Sequence, residues 1–221
     1  MVLFRDRADA GRQLSAWLGK YRGDPSAIVL ALPRGGVPVA YEVATALSLP
    51  LDVYTVRKLG VPGHEELAMG AVASGGSYVV DTHLLELAQV TPEEFHTTLA
   101  RELGELQRRE AAYRDDRPQP DLRGKAVLLV DDGLATGASM QAAIAALRER
   151  EPAKIVVAVP VASPDSVLAL EASADEIVTV HQPWPFYAVG IYYENFDQVE
   201  DAVVSRLLSQ AQEAQRRWTA V

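Results

Sequence analysis

Four short apolar runs, Ile28–Leu32, Leu51–Val56, Val127–Val130 and Ile155–Val159, constrain what this chain can fold into more than any other feature. They are dominated by Val, Ile and Leu and do not show the sustained polar alternation of a strand with one wet face. Such segments suit strands buried on both sides, and a fifth run, Ile177–Val180, joins them. Helical patterns lie between the runs, over Pro38–Leu47, Ala138–Arg150 and Pro164–Ala172. Strands alternating with helices predict a doubly wound, mostly parallel α/β sheet flanked by helices, with residues 1–221 as one domain.

Residues 60–120 interrupt this rhythm. Leu67–Ala73 and Ser77–Val80, separated by Gly75-Gly76, predict a hairpin. Thr91-Pro92-Glu93-Glu94 predicts a helix start, with Thr91 as cap, Pro92 in the first turn and Glu94 closing a capping box. Phe95, Leu99, Leu103 and Leu106 form its apolar stripe, and the Glu105–Arg109 and Glu110–Arg114 pairs read as its solvated face. Arg117-Pro118-Gln119-Pro120 ends the helix. The segment reads as an insertion that extends the one domain. Farther on, Val199, Val203, Leu207 and Ala211 recur four apart, predicting a C-terminal helix over Gln198–Arg217 that packs on the core.

Composition narrows the function. With 21 Lys+Arg against 30 Asp+Glu the chain carries a net charge of −9, which argues against a nucleic-acid partner and leaves small anions open. There is no cysteine, so thiolate metal sites and disulfides are excluded. The N-terminal residues lack the apolar region of a signal peptide, and no apolar run approaches the roughly 20 residues needed to cross a bilayer. A soluble, cytoplasmic protein with no membrane partner is expected.

The most specific segment runs from Val127 to Ser139. A buried strand leads into two adjacent carboxylates, Asp131 and Asp132, then a small-residue turn and a helix. In an open α/β sheet, ligands bind at the carboxyl ends of the strands. The turn Ala135-Thr136-Gly137-Ala138-Ser139 offers backbone N–H groups at a helix N-terminus, where free donors and the helix dipole favour an anion. Thr136 and Ser139 add hydroxyl donors, and Gly137 lets the backbone approach a phosphate closely. Two carboxylates beside an anion cradle would repel a bare phosphate. They suit a sugar phosphate, with its phosphate in the turn and its vicinal diol on Asp131 and Asp132.

Cations stand at the ends of the first two strands. Pro33-Arg34-Gly35-Gly36 follows the first, where a Gly-Gly turn can form an anion-binding nest and Arg34 can fork onto phosphate oxygens. Arg57 and Lys58 close the second. Alternation along the strand turns one of them away from the crevice, and Lys58 is the one expected to face it.

The segment VDDGLATGAS resembles the signature of type I phosphoribosyltransferases, which bind 5-phosphoribosyl diphosphate (PRPP). The arrangement of PRGG, VRK, LAMGAV, VDDGLATGAS and AVPVASP is similar to a group of bacterial stand-alone phosphoribosyltransferases of unassigned acceptor. Gly133 departs from the aliphatic residue usual in the family. The resemblance implies a transferase that uses PRPP and Mg2+, passes the 5-phosphoribosyl group to a nitrogenous, nucleobase-like acceptor and releases pyrophosphate. It implies that Asp131 and Asp132 hold the ribose hydroxyls and approach the metal, directly or through water or substrate. The 5-phosphate falls to Ala135–Ser139 and the pyrophosphate to Arg34, Gly35, Gly36 and Lys58. Asp131, Asp132, Lys58 and Arg34 are then the catalytic set, and Pro62-Gly63-His64-Glu65-Glu66 a mobile loop closing over them. In that loop His64 reads as a surface residue rather than a base.

Acceptor recognition is less specific. Residues 181–197 read as a hood, in which Trp184-Pro185-Phe186-Tyr187-Ala188-Val189-Gly190 resembles the base-stacking segment of hypoxanthine-guanine phosphoribosyltransferase. That places Tyr187 on the acceptor, with Val161 near the position of the lysine that reads a 6-oxo group; packing of the last strand by these aromatics is the alternative. Neither Val161 nor Ala162 can replace that lysine, and Ala135 stands where that enzyme has an aspartate, so a 6-oxopurine acceptor is disfavoured. A PRPP- or nucleotide-binding regulator of the same fold, without transferase activity, remains open. A ribose-phosphate diphosphokinase is disfavoured, because no second nucleotide site is evident. Family members are commonly dimers, which leaves a homodimer open.

Overall fold

The five apolar runs lie side by side. In a computed structural model that describes residues 2–114 and 118–219, the elements follow in the order α1 (Arg7–Trp17), β1 (Ala27–Ala31), α2 (Gly36–Leu47), β2 (Leu51–Val53), β3 (Val56–Val61), β4 (His64–Ala73), β5 (Tyr78–Val80), α3 (Thr82–Leu87), α4 (Pro92–Arg114), β6 (Ala126–Val130), α5 (Ala138–Arg148), β7 (Lys154–Val161), α6 (Pro164–Leu170), β8 (Glu176–His181) and α7 (Asp201–Thr219). The main sheet has the order β2-β1-β6-β7-β8, and every neighbouring pair in it is parallel. Arg117, expected to end the long helix, lies outside the described residues.

Burial on both faces explains the apolar runs. Val29, Ala31, Leu128 and Val130 point into one core with α1, α2 and α7, where Leu14, Val43, Val204 and Leu208 pack. Ile28, Leu30, Val127 and Leu129 point into the opposite core, against Met140, Ile144 and Leu147 of α5 and Leu170 of α6. Each large aliphatic side chain fully removed from water contributes about 1.5–3 kcal/mol, so loss of either face would unfold the domain.

The second apolar run divides. Pairing with β1 stops at Val53, Tyr54 N–H donates to Ala31 O at 2.9 Å, and Val56 turns out into an antiparallel ribbon β3-β4-β5. The hairpin expected around Gly75-Gly76 is present, and both glycines have positive φ, 87° and 78°. A second hairpin lies at the segment expected to form the mobile loop. Val56–Val61 and His64–Ala73 pair across the Pro62-Gly63 turn, with Gly63 at φ 77°. Residues 62–66 are therefore the tip of a ribbon rather than a loop without structure of its own.

α4 begins as its capping box predicts: Thr91 N–H donates to Glu94 Oε2 at 2.9 Å and Glu94 N–H to Thr91 Oγ1 at 3.3 Å. Its stripe packs with Leu59, Met69 and Val72 of the ribbon in a small separate core. The face read as solvated differs from expectation. Glu110 and Arg114 are buried, and Arg114 donates from Nε to Asp52 at 3.0 Å and from Nη2 to Val53 O at 2.6 Å. A buried guanidinium needs such partners, and these two residues bolt α4 to the edge of the main sheet. α7 packs on α2, α4 and β2 through Val204, Leu208 and Ala211. Among the described residues, no helix is long and apolar enough to cross a membrane.

Candidate active site

β1 and β6 are neighbours whose chains depart to opposite sides of the sheet, β1 toward β2 and β6 toward β7. That reversal opens a crevice at the carboxyl ends of the strands. The loops after β1 and β6 meet in it. Leu32 N–H donates to Val130 O at 2.9 Å, and a β-carbon on Gly36 would stand 2.7 Å from Val130 O and 2.9 Å from Asp131 Cα.

After Val130 the chain leaves the sheet for three residues and returns at Leu134, whose N–H donates to Val161 O at 2.9 Å. That excursion lifts Asp131 and Asp132 to the mouth of the crevice. The turn into α5 then passes through Gly137 at φ 75° and ψ −1°, a conformation that favours glycine. Ala135, Thr136, Ala138 and Ser139 are exposed. Among the described residues, none of the N–H groups from Ala135 to Met140 donates to a backbone carbonyl. Ala135 O is held from behind by the hydroxyls of Ser163, at 3.0 Å, and Ser166, at 2.5 Å. The turn is thus braced on one side and offers free donors at a helix N-terminus on the other, the arrangement an anion requires.

The two acids differ in partners. Asp131 Oδ1 accepts the Asp132 N–H at 2.8 Å. Asp132 Oδ2 accepts Arg7 Nε at 2.8 Å, and its backbone carbonyl accepts the Tyr193 hydroxyl at 2.5 Å. Burial pushes the Asp131 carboxyl well above its usual range, and the charge of Asp132 pushes it further. Burial also raises Asp132, while Arg7 pulls it back. A pair in this state gains from any group that donates hydrogen bonds or positive charge, such as a diol or a cation. Among the described residues, no cluster of three or more His, Asp or Glu side chains could cage a metal. Asp131 and Asp132 fit a metal carried mainly by the oxygens of a phosphorylated ligand.

Arg34 and Lys58 line two neighbouring cavities that meet at Ser139. Arg34 lies 3.8 Å from Asp201 and lines the space shared with Asp131 and Ser139. Lys58 and Ser139 line an adjoining cavity of about 530 Å³, and Lys58 Nζ reaches Glu66 at 3.3 Å. Arg57 lines the same cavity, with both Nε and Nη2 committed to Glu102 of α4 at 2.6 and 2.5 Å. The Gly-Gly nest is not formed. Gly35 has φ −58° and ψ −36°, Gly36 starts α2, and its N–H is used by Leu32 O at 3.1 Å. Both glycines allow close approach to the acids.

The hood differs from expectation at one of its two residues. Tyr187 is 77% exposed and, with Trp184, Thr136 and Asp165, lines a cavity of about 380 Å³. Val161 is fully buried, so it cannot touch an acceptor. It lies under Gly133, where a β-carbon would stand 2.5 Å from Val189 Cγ1 and 3.1 Å from Val161 Cγ1. Val189 of the hood fills the space the usual aliphatic residue would occupy, which accounts for Gly133.

Two cationic site residues escaped the sequence reading. Arg7 comes from α1, signalled only by the Asp6 cap that accepts Asp9 N–H at 2.7 Å. Its guanidinium lies 3.9 Å over Phe196 and donates to Asp197 O at 2.8 Å, so the N-terminal helix and the hood jointly hold Asp132. Arg109 of α4 lines the crevice with Arg34 and Asp131, although its pairing with Glu105 marked it as a surface residue.

Comparison with known proteins agrees with this architecture. A family model described as "Phosphoribosyl transferase domain" matches residues 5–195. Two proteins of Mycobacterium tuberculosis, from strains CDC 1551 / Oshkosh and H37Rv and provisionally named phosphoribosyl transferases, are 43% identical over 211 residues. The match covers 96% of this chain and 47% of theirs, so the chain spans about half the length of these curated relatives. The crystal structure of the protein TT1426 from Thermus thermophilus superposes with a TM-score of 0.84 at 44% identity, over 95% of this chain and 99% of that one.

Proposed function

Because the chain belongs to the phosphoribosyl transferase domain family, we propose that it binds PRPP and transfers the 5-phosphoribosyl group to a small nitrogenous acceptor, releasing pyrophosphate. One observation supports this reading: the braced turn with its free N–H groups follows the acidic pair at the switch point of the sheet, Arg34 lines a cavity with Asp131 and Ser139, and Lys58 lines a neighbouring one with Ser139. Few ligands need an anion cradle, a pair of hydroxyl acceptors and a second cationic pole within one small space. PRPP has its 5-phosphate, its diol and its diphosphate in that order.

In this reading the 5-phosphate takes the N–H groups and hydroxyls of Ala135–Ser139, and Asp131 and Asp132 accept from the ribose hydroxyls. Arg34 and Lys58 flank the diphosphate. As the acceptor nitrogen forms its bond to C1, the C1–oxygen bond breaks and negative charge grows on the leaving diphosphate. Cations fixed beforehand stabilise that charge without reorganising. The acids offset the positive charge that develops on the ribose ring. Mg2+ bound with the substrate would neutralise diphosphate charge. The ribbon β3-β4 flanks the Lys58 cavity, where it limits access of water that would otherwise hydrolyse PRPP. The acceptor lies under the hood, against Tyr187.

The test is calorimetry with PRPP and Mg2+, followed by a pyrophosphate-release assay over a panel of nucleobases and related heterocycles. Saturable binding, with release for at least one acceptor, is expected, and Asp132→Asn and Lys58→Ala each remove turnover while the protein stays folded. Full turnover in both variants would place the site elsewhere. Binding without release for any acceptor would favour a PRPP sensor.

A further inference from the structure

We infer that Arg109 is a third cation of the leaving-group cradle, supplied by the insertion helix α4 rather than by any of the loops at the ends of the sheet strands. The inference rests on the PRPP reading of the crevice. Arg109 lines three cavities around the crevice: one with Arg34, Tyr113 and Asp201, a second with Arg34, Asp131 and Ser139, and a third with Lys58 and Ser139. Arg109 is thus the charged residue that, with Val56 and Ser139, is shared by the Arg34 side and the Lys58 side.

The surroundings suit an arriving anion. Arg109 is half exposed and donates through Nε to Glu105 Oε1 at 3.0 Å. Glu105 is committed more fully to Arg108, which meets it through Nε at 2.9 Å and Nη2 at 2.8 Å. A planar guanidinium with most of its fork available matches the oxygens of a diphosphate.

Rigidity adds to the case. Arg114, a little over one turn beyond Arg109, is locked onto Asp52 and Val53 O of the main sheet. Tyr113, one turn from Arg109, donates to Asp201 at 2.7 Å. Arg109 is therefore presented by a helix fixed to the sheet, whereas Lys58 sits on an exposed ribbon. A preorganised donor is worth more to a charge that develops during reaction than one that must be ordered first.

Calorimetry on the full chain tests this with PRPP plus Mg2+, pyrophosphate plus Mg2+, and ribose 5-phosphate. Arg109→Ala weakens PRPP and pyrophosphate about tenfold or more, as loss of a charge-assisted pair implies, and leaves ribose 5-phosphate within twofold. Arg109→Lys recovers part of the loss, and Arg123→Ala, which removes an exposed cation paired with Glu151 away from these cavities, changes none of the three more than twofold. Far-ultraviolet dichroism and a melting curve establish that each variant is folded. Pyrophosphate affinity unchanged in Arg109→Ala, while the wild type binds PRPP, overturns the role of Arg109 and leaves the PRPP reading standing. A wild type that binds neither PRPP nor pyrophosphate overturns both. Equal weakening of ribose 5-phosphate also overturns it, since Arg109 would then act on the whole site.

Discussion

Gly35 and Asp132 lie so close that a β-carbon on the glycine would stand 2.8 Å from the carboxylate carbon, closer than real β-carbons are found. The loop after β1 and the acidic pair after β6 are therefore one packed unit, and the absence of a side chain at residue 35 is what lets them meet. Gly35→Ala forces Asp132 away from Arg7 or the loop away from the sheet. Overpacking of this kind costs about 1–3 kcal/mol, a loss of about 2–12 °C in Tm for a domain of this size. PRPP affinity falls at least tenfold by calorimetry. A Gly35→Ala protein with wild-type Tm and affinity would show that the two loops are not mechanically coupled.

Asp131 predicts a trade of stability for function. Its carboxyl is raised in the folded state by burial and by Asp132. The folded protein thus holds that proton more tightly than the unfolded chain. The resulting stability is present below the usual Asp range and is lost as pH rises from there through the folded value. Asp131→Asn removes the liability. Its Tm exceeds wild type at pH 8, and the difference shrinks as pH falls toward 4, while PRPP binding is lost. The check is a pair of melting series across pH. A Tm below wild type at pH 8 would mean that the carboxylate is stabilised by partners other than Arg7.

Arg7 and Asp132 are both largely buried, at 12% and 14% side-chain exposure. Removing one partner of such a pair costs about 3–5 kcal/mol, because the other is left charged and alone. Arg7→Met keeps much of the apolar stem over Phe196 and isolates the charge effect. It destabilises at neutral pH and moves the pH dependence of PRPP binding upward, since Arg7 is what pulls the Asp132 carboxyl down. The double variant with Asp132→Asn recovers much of the stability. If the two single losses simply add, the residues are not coupled, and Arg7 is only part of the hood packing.

Much of this was legible because periodicity and order are local. The parallel sheet follows from runs that feed two cores at once, and a turn with free N–H groups after the acidic pair follows from Asp131, Asp132 and Gly137 standing in sequence. What stayed hidden depends on contacts between distant segments. Arg7 reaches Asp132 across 125 positions, and nothing near residue 7 signals an acid. The pairing of Glu110 with Arg114 reads as a solvated helix face until Asp52 and Val53 supply partners for Arg114, and Ser74 and Gln119 for Glu110, that let both be buried. Val161 looked available because position along β7 fixes neither its depth nor the arrival of Val189 above it.

The hood supplies the last prediction. Tyr187 and Trp184 are exposed, while Phe186 packs 5.2 Å from Tyr192 and Tyr193 anchors on the Asp132 carbonyl. The segment is therefore fixed at its base and presents two free aromatic faces above Thr136. A planar acceptor stacking there gains about 1–3 kcal/mol from one aromatic. Tyr187→Ala then raises KM for the acceptor about fivefold to a hundredfold, with PRPP affinity unchanged, and Tyr187→Phe restores it, because stacking needs the ring and not the hydroxyl. Quenching of Trp184 fluorescence on acceptor binding, absent in Trp184→Phe, reports occupancy without turnover. Should Tyr187→Ala leave KM unchanged while Gly133→Val, which displaces Val189, raises it, the acceptor lies beneath the hood near Gly133 and not against its exposed ring.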